Sequence, residues 1–122
     1  MGKLDNTLAS AEQMYRQMRA LADADDPEGK SEIVRLRSRY AMLMLEILQD
    51  MKGDERLLDD TALRDEFSRR FFALRQTLAD HQAKWRLQAI EEDTSGYLRS
   101  AKGLNSVQDD FYRWVGDSFS LH

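Results

Sequence analysis

The side chain with the widest range of chemistry in this 122-residue chain is that of His81. An imidazole ring can accept a phosphoryl group, bind a metal or transfer a proton near neutral pH. His81 also continues a stripe of apolar residues at helical spacing, which consists of Phe71, Leu74, Leu78 and Trp85. We therefore predict a structural histidine, at least half buried beside Trp85 and an aromatic ring of another helix. Tyr15 and Tyr40 are its candidate hydrogen-bond partners, and burial should lower its pKa below about 6.5.

Metal and covalent chemistry find little support elsewhere in the sequence. A di-iron carboxylate bundle needs Glu-x-x-His pairs, but Leu78 stands three residues before His81, and the only other histidine is His122. The chain has no cysteine, no Gly-x-Ser-x-Gly motif and no glycine-rich phosphate loop. The acidic residues 91–93 are interpreted as a solvated helix end, with a hard-cation site as the alternative. We predict no catalytic residues, no metal and no cofactor.

Residues 81–85, HQAKW, carry the one reactive alternative, because Lys84 follows His81 by three positions. This short segment resembles the histidine phosphotransfer domains, which are four-helix bundles with one reactive His on a long helix. The resemblance implies a signalling role in which His81 accepts the phosphoryl group and Lys84 assists. Trp85 stands where that family typically has a glycine.

Surplus apolar and cationic side chains indicate binding to a protein. The segment AMLMLEIL, residues 41–48, is apolar nearly all round a helix, and methionines suit adaptable helix-binding surfaces. The predicted partner-binding residues are Met42, Met44, Met51, Arg35 and Arg39. The arginines would meet an acidic or phosphorylated protein, although a solvated face paired with nearby carboxylates is the default interpretation. A net charge of −4 disfavours nucleic acid.

Four amphipathic helices should position these residues within one domain. Apolar residues recur at alternating spacings of four and three, which predicts helices at roughly 5–24, 27–52, 61–92 and 95–116. The third would be about 48 Å long, against roughly 30 to 40 Å for the others. We therefore expect it to bend, to end early or to project past its neighbours. The fold class is all-α, an antiparallel four-helix bundle with up-down-up-down topology.

Capping and turn residues separate these helices. Predicted N-caps are Asp26 for the second helix, Asp59, Asp60 or Thr61 for the third, and Thr94 or Ser95 for the fourth. Residues 53–60, GDERLLDD, are interpreted as a loop pinned to the core by Leu57 and Leu58. The C-terminal DSFSLH is expected to fray or to fold back through Phe119.

Composition places the protein in a broad functional class. The segment MGKLDNTLAS lacks a signal-peptide core, and no run is long enough to cross a membrane, so we expect a cytoplasmic protein with no membrane partner. Frequent Arg and Ala favour a bacterial origin. These features predict a non-enzymatic helical interaction module that binds itself, as a homodimer, or another protein, with no identifiable small-molecule substrate. Adaptors, regulators and small export chaperones have this general character, and the alternative is a phosphotransfer-like signalling domain using His81.

Overall fold

The computed structural model describes residues 2–24 and 27–119 and contains no strand among them, which confirms the predicted all-α class. Its α-helices in chain order are α1 (Lys3–Asp23), α2 (Pro27–Asp50), α3 (Glu55–Asp59), α4 (Thr61–Lys84), α5 (Leu87–Glu92) and α6 (Thr94–Ser118). A 3-10 turn, Met51–Gly53, joins α2 to α3. The predicted N-cap Asp26 lies outside the described residues.

The long helices bury their apolar stripes against one another. Helix α1 packs along α2 and also contacts α6, while α4 packs along α6. The main core combines side chains from α1, α2, α3, α4 and α6, and its largest fully buried members include Tyr15, Tyr40, Phe67, Phe71 and Leu57. Backbone contacts between α2 and α4 are sparse by comparison.

A second, smaller core explains why the third predicted helix ends early, at Lys84 instead of near residue 92. Trp85 and Ile90 are both buried in this core, together with Tyr97 and Ala101 of α6. In one continuous helix, Trp85 and Ile90 would point about 140° apart, because each residue turns the helix by about 100°. The extended backbone at Arg86 breaks the helix and lets both side chains face inward.

The break is also held by a contact from another helix. Arg37 of α2 donates a hydrogen bond to the backbone carbonyl of Trp85. The last carbonyls of a helix have no partner within the helix, so this bond satisfies one of them. No glycine or proline marks the position in the sequence, which is why the expected helix ran past it.

The segment 53–60 is more ordered than the predicted loop. Asp54 caps α3, its carboxylate accepting bonds from the backbone N–H groups of Arg56 and Leu57. Leu57 is fully buried as expected, but Leu58 is exposed and does not pin the segment. The second helix accordingly ends at Asp50 and not at residue 52.

Caps at the later helices partly match expectation. The carboxylate of Asp60 accepts from the N–H of Leu63 at the start of α4, 3.0 Å away, and Asp60 was among the predicted caps. Helix α6 is capped by Asp93, whose carboxylate accepts from the N–H of Gly96, so the predicted caps Thr94 and Ser95 are wrong. Thr94 and Ser95 are the first two residues of the helix itself, because Asp93 occupies the N-cap position.

At the C-terminal end, Phe119 folds back onto the main core. Its ring lies 5.6 Å from that of Phe67, centroid to centroid, and the guanidinium of Arg56 covers it at 4.4 Å. Residues 120–122 lie outside the described part of the chain. Within that described part, no helix combines the length and the apolar character needed to cross a bilayer.

Candidate functional site

An open groove of about 270 Å³ lies between α2 and α4, two helices with few backbone contacts to each other. It is lined by Tyr40, Ala41, Met44, Leu45, Arg75, Leu78, Ala79 and Gln82. Tyr40, Met44 and Leu78 are buried and form its floor. Its walls carry the small residues Ala41 and Ala79, which have no side chain long enough to bridge the gap.

Two exposed apolar side chains lie on the helices that form the groove. Leu45 lines it and is 48% exposed, and Phe72 of α4 is 47% exposed. Phe72 precedes Ala79 by seven residues, so the two share one face of α4. Large apolar side chains that cluster on a surface mark an interaction site more often than isolated ones do.

One cation lies in the groove wall without an acidic partner. Arg75 makes no hydrogen bond or ion pair with the residues that the structure describes, and its guanidinium lies 5.8 Å from the centroid of the Phe71 ring. Gln82 is the other polar side chain of the wall, whereas the Tyr40 hydroxyl at the floor already bonds Gln108 and Tyr112. The groove is therefore apolar with a single positive charge.

The predicted partner-binding residues do not lie on one surface. Met42 is 60% exposed, whereas Met44 is 4% exposed and belongs to the main core. Met44 shares the inward stripe of α2 with Tyr40 and forms part of the groove floor, so its role in binding a partner stays a prediction. Met51 is partly buried against the same core. Arg35 pairs with Glu32 of its own helix turn.

Arg39, the last of the predicted partner-binding residues, is exposed on α2. It does not line the groove, and its charge helps the Arg35 hydrogen bond to hold the pKa of Glu32 below its ordinary value. This arrangement matches the default interpretation of the arginines as a solvated face.

His81 is half buried where α4 faces α6. Its Nδ1 lies 3.1 Å from the hydroxyl of Ser100, and its ring lies 5.7 Å from that of Tyr97, centroid to centroid. The aromatic neighbour from another helix is therefore Tyr97, which also packs edge-on against Trp85. The suggested partners Tyr15 and Tyr40 are wrong, because their hydroxyls bond Asp109 and Gln108 respectively.

The surroundings of His81 are electrostatically unfavourable to a second positive charge. Burial, reinforced by the positive charge of Arg37, lowers the pKa of His81 to about 4. Burial also lowers the pKa of Arg37. Buried donor atoms of Arg37 (Nη2) and Trp85 (Nε1) have no hydrogen-bond partner within the described part of the chain. His81 is thus a neutral ring beside a cation at physiological pH.

The two residues of the phosphotransfer resemblance have separate contacts. His81 turns its Nδ1 toward Ser100, while the Lys84 ammonium lies over the Trp85 ring, 5.3 Å from its centroid. The bulky Trp85 that replaces the family's glycine thereby holds the lysine that would assist. This geometry lends the phosphotransfer alternative no support.

The acidic residues 91–93 are arranged as a helix end. Glu91 and Glu92 are exposed, and the Asp93 carboxylate is used as the cap of α6. Among the residues described, no three His, Asp or Glu side chains converge as ligands of a metal ion would.

The sequence placed Leu45 in the apolar run 41–48 that was predicted to bind a protein, but it did not point to Phe72 or Ala79 as part of the same surface. A signal for Phe72 was present, since an aromatic residue lies there about 100° away from the core stripe of α4. No family model, curated protein or solved structure matches this chain. The geometry of the groove is therefore the main guide to function.

Proposed function

We propose that this chain is a non-enzymatic helical protein-interaction module, and that its docking surface is the groove between α2 and α4. The observation that carries the proposal is an open, apolar groove of about 270 Å³ with Leu45 half exposed in its wall. In this proposal the four long helices form an antiparallel, up-down-up-down bundle of bacterial, cytoplasmic type. Its α2–α4 edge is left open for a partner.

A partner α-helix suits this groove better than an extended peptide does. Extended peptides usually bind by adding a strand to a sheet edge, and the described chain has no strand. An amphipathic helix instead buries residues at i, i+3, i+4 and i+7 in a groove between two helices. Leu45 and Ala79 would contact that apolar stripe, and Arg75 favours an acidic residue beside it.

The side chains that line the groove favour binding over catalysis. An active site brings together a nucleophile or base, an orienting partner and groups that stabilise developing charge. Here the polar side chains of the walls are Arg75 and Gln82, and the hydroxyl of Tyr40 is occupied by its contacts with Gln108 and Tyr112. An apolar floor with one cation supports binding of a protein surface.

Selection of helical peptides tests the proposal directly. A displayed library of helical peptides is panned at nanomolar chain concentration against the wild type, Leu45→Glu and the control Val107→Glu. Both substitutions place a charge at an exposed aliphatic position of a helix, but only Leu45 lines the groove. We expect amphipathic peptides that bind the wild type and the control alike, and bind Leu45→Glu at least tenfold more weakly.

Two results would contradict the proposal. Failure to enrich any helical peptide would remove the evidence for a docking groove, and peptides that bind Leu45→Glu unchanged would place docking elsewhere. Circular dichroism of each variant checks that the helices remain intact, as expected for substitutions at exposed positions.

A further inference from the structure

We propose that the occupant of the groove is an acidic amphipathic helix of another protein, and that Arg75 selects it by pairing with one Asp or Glu at the edge of its apolar stripe. This inference rests on the proposed function and names the chemistry of the partner. It starts from the charge of the groove, because Arg75 is the one charged side chain among the described residues that line it.

The helical neighbours of Arg75 cannot neutralise its charge. On a helix, the side chains that pair lie three and four positions apart, and Arg75 has Phe71, Phe72, Leu78 and Ala79 at those positions. Seven other arginines do pair with a carboxylate, namely Arg16, Arg19, Arg35, Arg56, Arg69, Arg70 and Arg113. The sequence around Arg75 therefore leaves its charge available to a group from outside α4.

The rest of the groove supplies no counter-charge either. The residues of α2 that line it are aromatic or aliphatic. Glu46 of α2 and Asp80 of α4 are exposed and do not line it, and the Asp80 carboxylate already accepts a hydrogen bond from Gln76, 2.8 Å away. A carboxylate that pairs with Arg75 in the groove must therefore come from the partner.

Partial burial strengthens the attraction of Arg75 for such a carboxylate. Its guanidinium lies 5.8 Å from the centroid of the Phe71 ring, in a wall whose other members are apolar or amide side chains. A helix that covers the groove would exclude water from the pair, and opposite charges attract more strongly as the effective dielectric constant falls. A guanidinium also binds a carboxylate through two parallel hydrogen bonds.

The same burial penalises the wrong partner. A helix with a neutral or basic residue beside Arg75 would remove water from the guanidinium without replacing the lost hydrogen bonds. The net charge of the chain is −4, but exposed charges more than about 8 Å away are largely screened at physiological ionic strength. The local charge of Arg75 therefore decides which helix is accepted.

The lining residues of α4 also give the spacing of the partner's side chains. Arg75, Ala79 and Gln82 follow one another at intervals of four and three residues, which together span about 10 Å of helix. A partner helix that lies along α4 advances at the same rate. Its acidic residue at Arg75 would be followed four positions away by a large apolar residue over Ala79, and seven positions away by a polar residue at Gln82.

Panning against charge-swapped chains tests the selection. The displayed library of helical peptides is panned in parallel against the wild type, Arg75→Glu, Arg75→Gln and the control Arg99→Glu. Arg99 is an exposed residue of α6 that does not line the groove, so the control changes the net charge by the same amount as Arg75→Glu.

The residue type recovered beside the apolar stripe is the readout. We expect enrichment of Asp or Glu there on the wild type and on Arg99→Glu, and enrichment of Lys or Arg on Arg75→Glu. Arg75→Gln should show no preference for either charge. Circular dichroism of each variant checks that the helices remain intact.

Affinities of one recovered peptide measure the pairing itself. A matched synthetic peptide carries Lys in place of the acidic residue, and binding of both peptides is followed by fluorescence anisotropy. The wild type should bind the acidic peptide roughly tenfold more tightly than the Lys peptide, and Arg75→Glu should reverse that order.

Two panning results would overturn the inference: no enrichment of acidic residues on the wild type, or an enrichment that Arg75→Glu leaves unchanged. If the recovered peptides still depend on Leu45 in either case, the docking groove stands and only the acidic partner is wrong. If no helical peptide is enriched, both proposals fail.

Sedimentation velocity of the chain without peptide tests the other occupant, a second copy. The acidic partner predicts that the groove takes no part in self-association. A dimer that Leu45→Glu dissociates and Arg75→Glu does not would place a second copy in the groove, and would overturn the inference.

Discussion

His81 shows at the scale of one residue how surroundings decide what a side chain can do. The ring has a hydroxyl neighbour in Ser100 and an aromatic neighbour in Tyr97, but the nearby charge is the positive guanidinium of Arg37. A histidine activated as a base or held charged usually has a carboxylate beside it. Here the environment favours the neutral ring, which fits a structural role.

The pH dependence of stability follows from this environment. The folded pKa of His81, about 4, lies below its ordinary value of 6.5, so protonation favours the unfolded chain. The stability linked to His81 is therefore fully present above pH 6.5 and is lost as the pH falls toward 4. We expect an NMR titration midpoint near pH 4, and we expect His81→Leu to lose less stability than the wild type over this interval.

Urea unfolding at several pH values supplies the stability comparison for those two proteins. A titration midpoint above pH 7 would contradict the expectation. It would require a carboxylate partner for the ring and would return His81 to the candidates for a functional group.

At the scale of the element, contacts of individual side chains decide where a helix begins, which the periodic spacing of apolar residues gives only approximately. Helix α6 begins where the carboxylate of Asp93 accepts a hydrogen bond from the N–H of Gly96, at 2.9 Å. A Cβ atom at Gly96 would lie 2.2 Å from an oxygen of that carboxylate. The glycine therefore leaves room for the cap, although alanine has the higher helix propensity.

A double-mutant cycle measures this coupling. Asp93→Ala should cost about 1 kcal/mol through the lost cap. In that background Gly96→Ala should gain roughly 0.5 to 1 kcal/mol of helix propensity, because the clash is gone. In the wild type the same change should gain little, since the cap must move away. Urea unfolding of the wild type, the two single variants and the double variant measures their free energies of unfolding. If the effects of Asp93→Ala and Gly96→Ala add within about 0.3 kcal/mol, the two residues are not coupled and the prediction is wrong.

Buried hydroxyl contacts connect the helices at the scale of the whole molecule. Tyr40 of α2 donates to the side-chain oxygen of Gln108 in α6, at 2.8 Å, and its oxygen lies 2.7 Å from the hydroxyl of Tyr112. Because the Tyr40 hydrogen is used by Gln108, Tyr112 must be the donor in the second bond. Burial raises the pKa of both tyrosines, so both hydroxyls stay protonated.

This network predicts unequal costs for two conservative substitutions. Tyr40→Phe leaves Gln108 without its donor and Tyr112 without its acceptor, at a cost of roughly 2 to 4 kcal/mol for two buried unpaired groups. Tyr112→Phe leaves the bond between Tyr40 and Gln108 intact and should cost about 0.5 to 1.5 kcal/mol. Equal losses in urea unfolding, or a larger loss for Tyr112→Phe, would show that the bonds are arranged differently.

The helical class and much of the core could be predicted from the amino-acid sequence. Periodicity is a local property of the chain, so the spacing of Phe71, Leu74 and Leu78 is enough to identify the buried face of α4. The cap at Asp60 could also be predicted, because an N-cap side chain bonds to backbone N–H groups only two or three residues away.

Features that depend on which helices approach each other required the folded arrangement. The helix break at Trp85 exists because Trp85 and Ile90 share a core with α6, and no local pattern encodes that neighbour. Met42 and Met44 look alike in the sequence, yet one is exposed and the other buried. The groove itself is a gap between α2 and α4, and the distance between two elements is set by the packing of the whole chain.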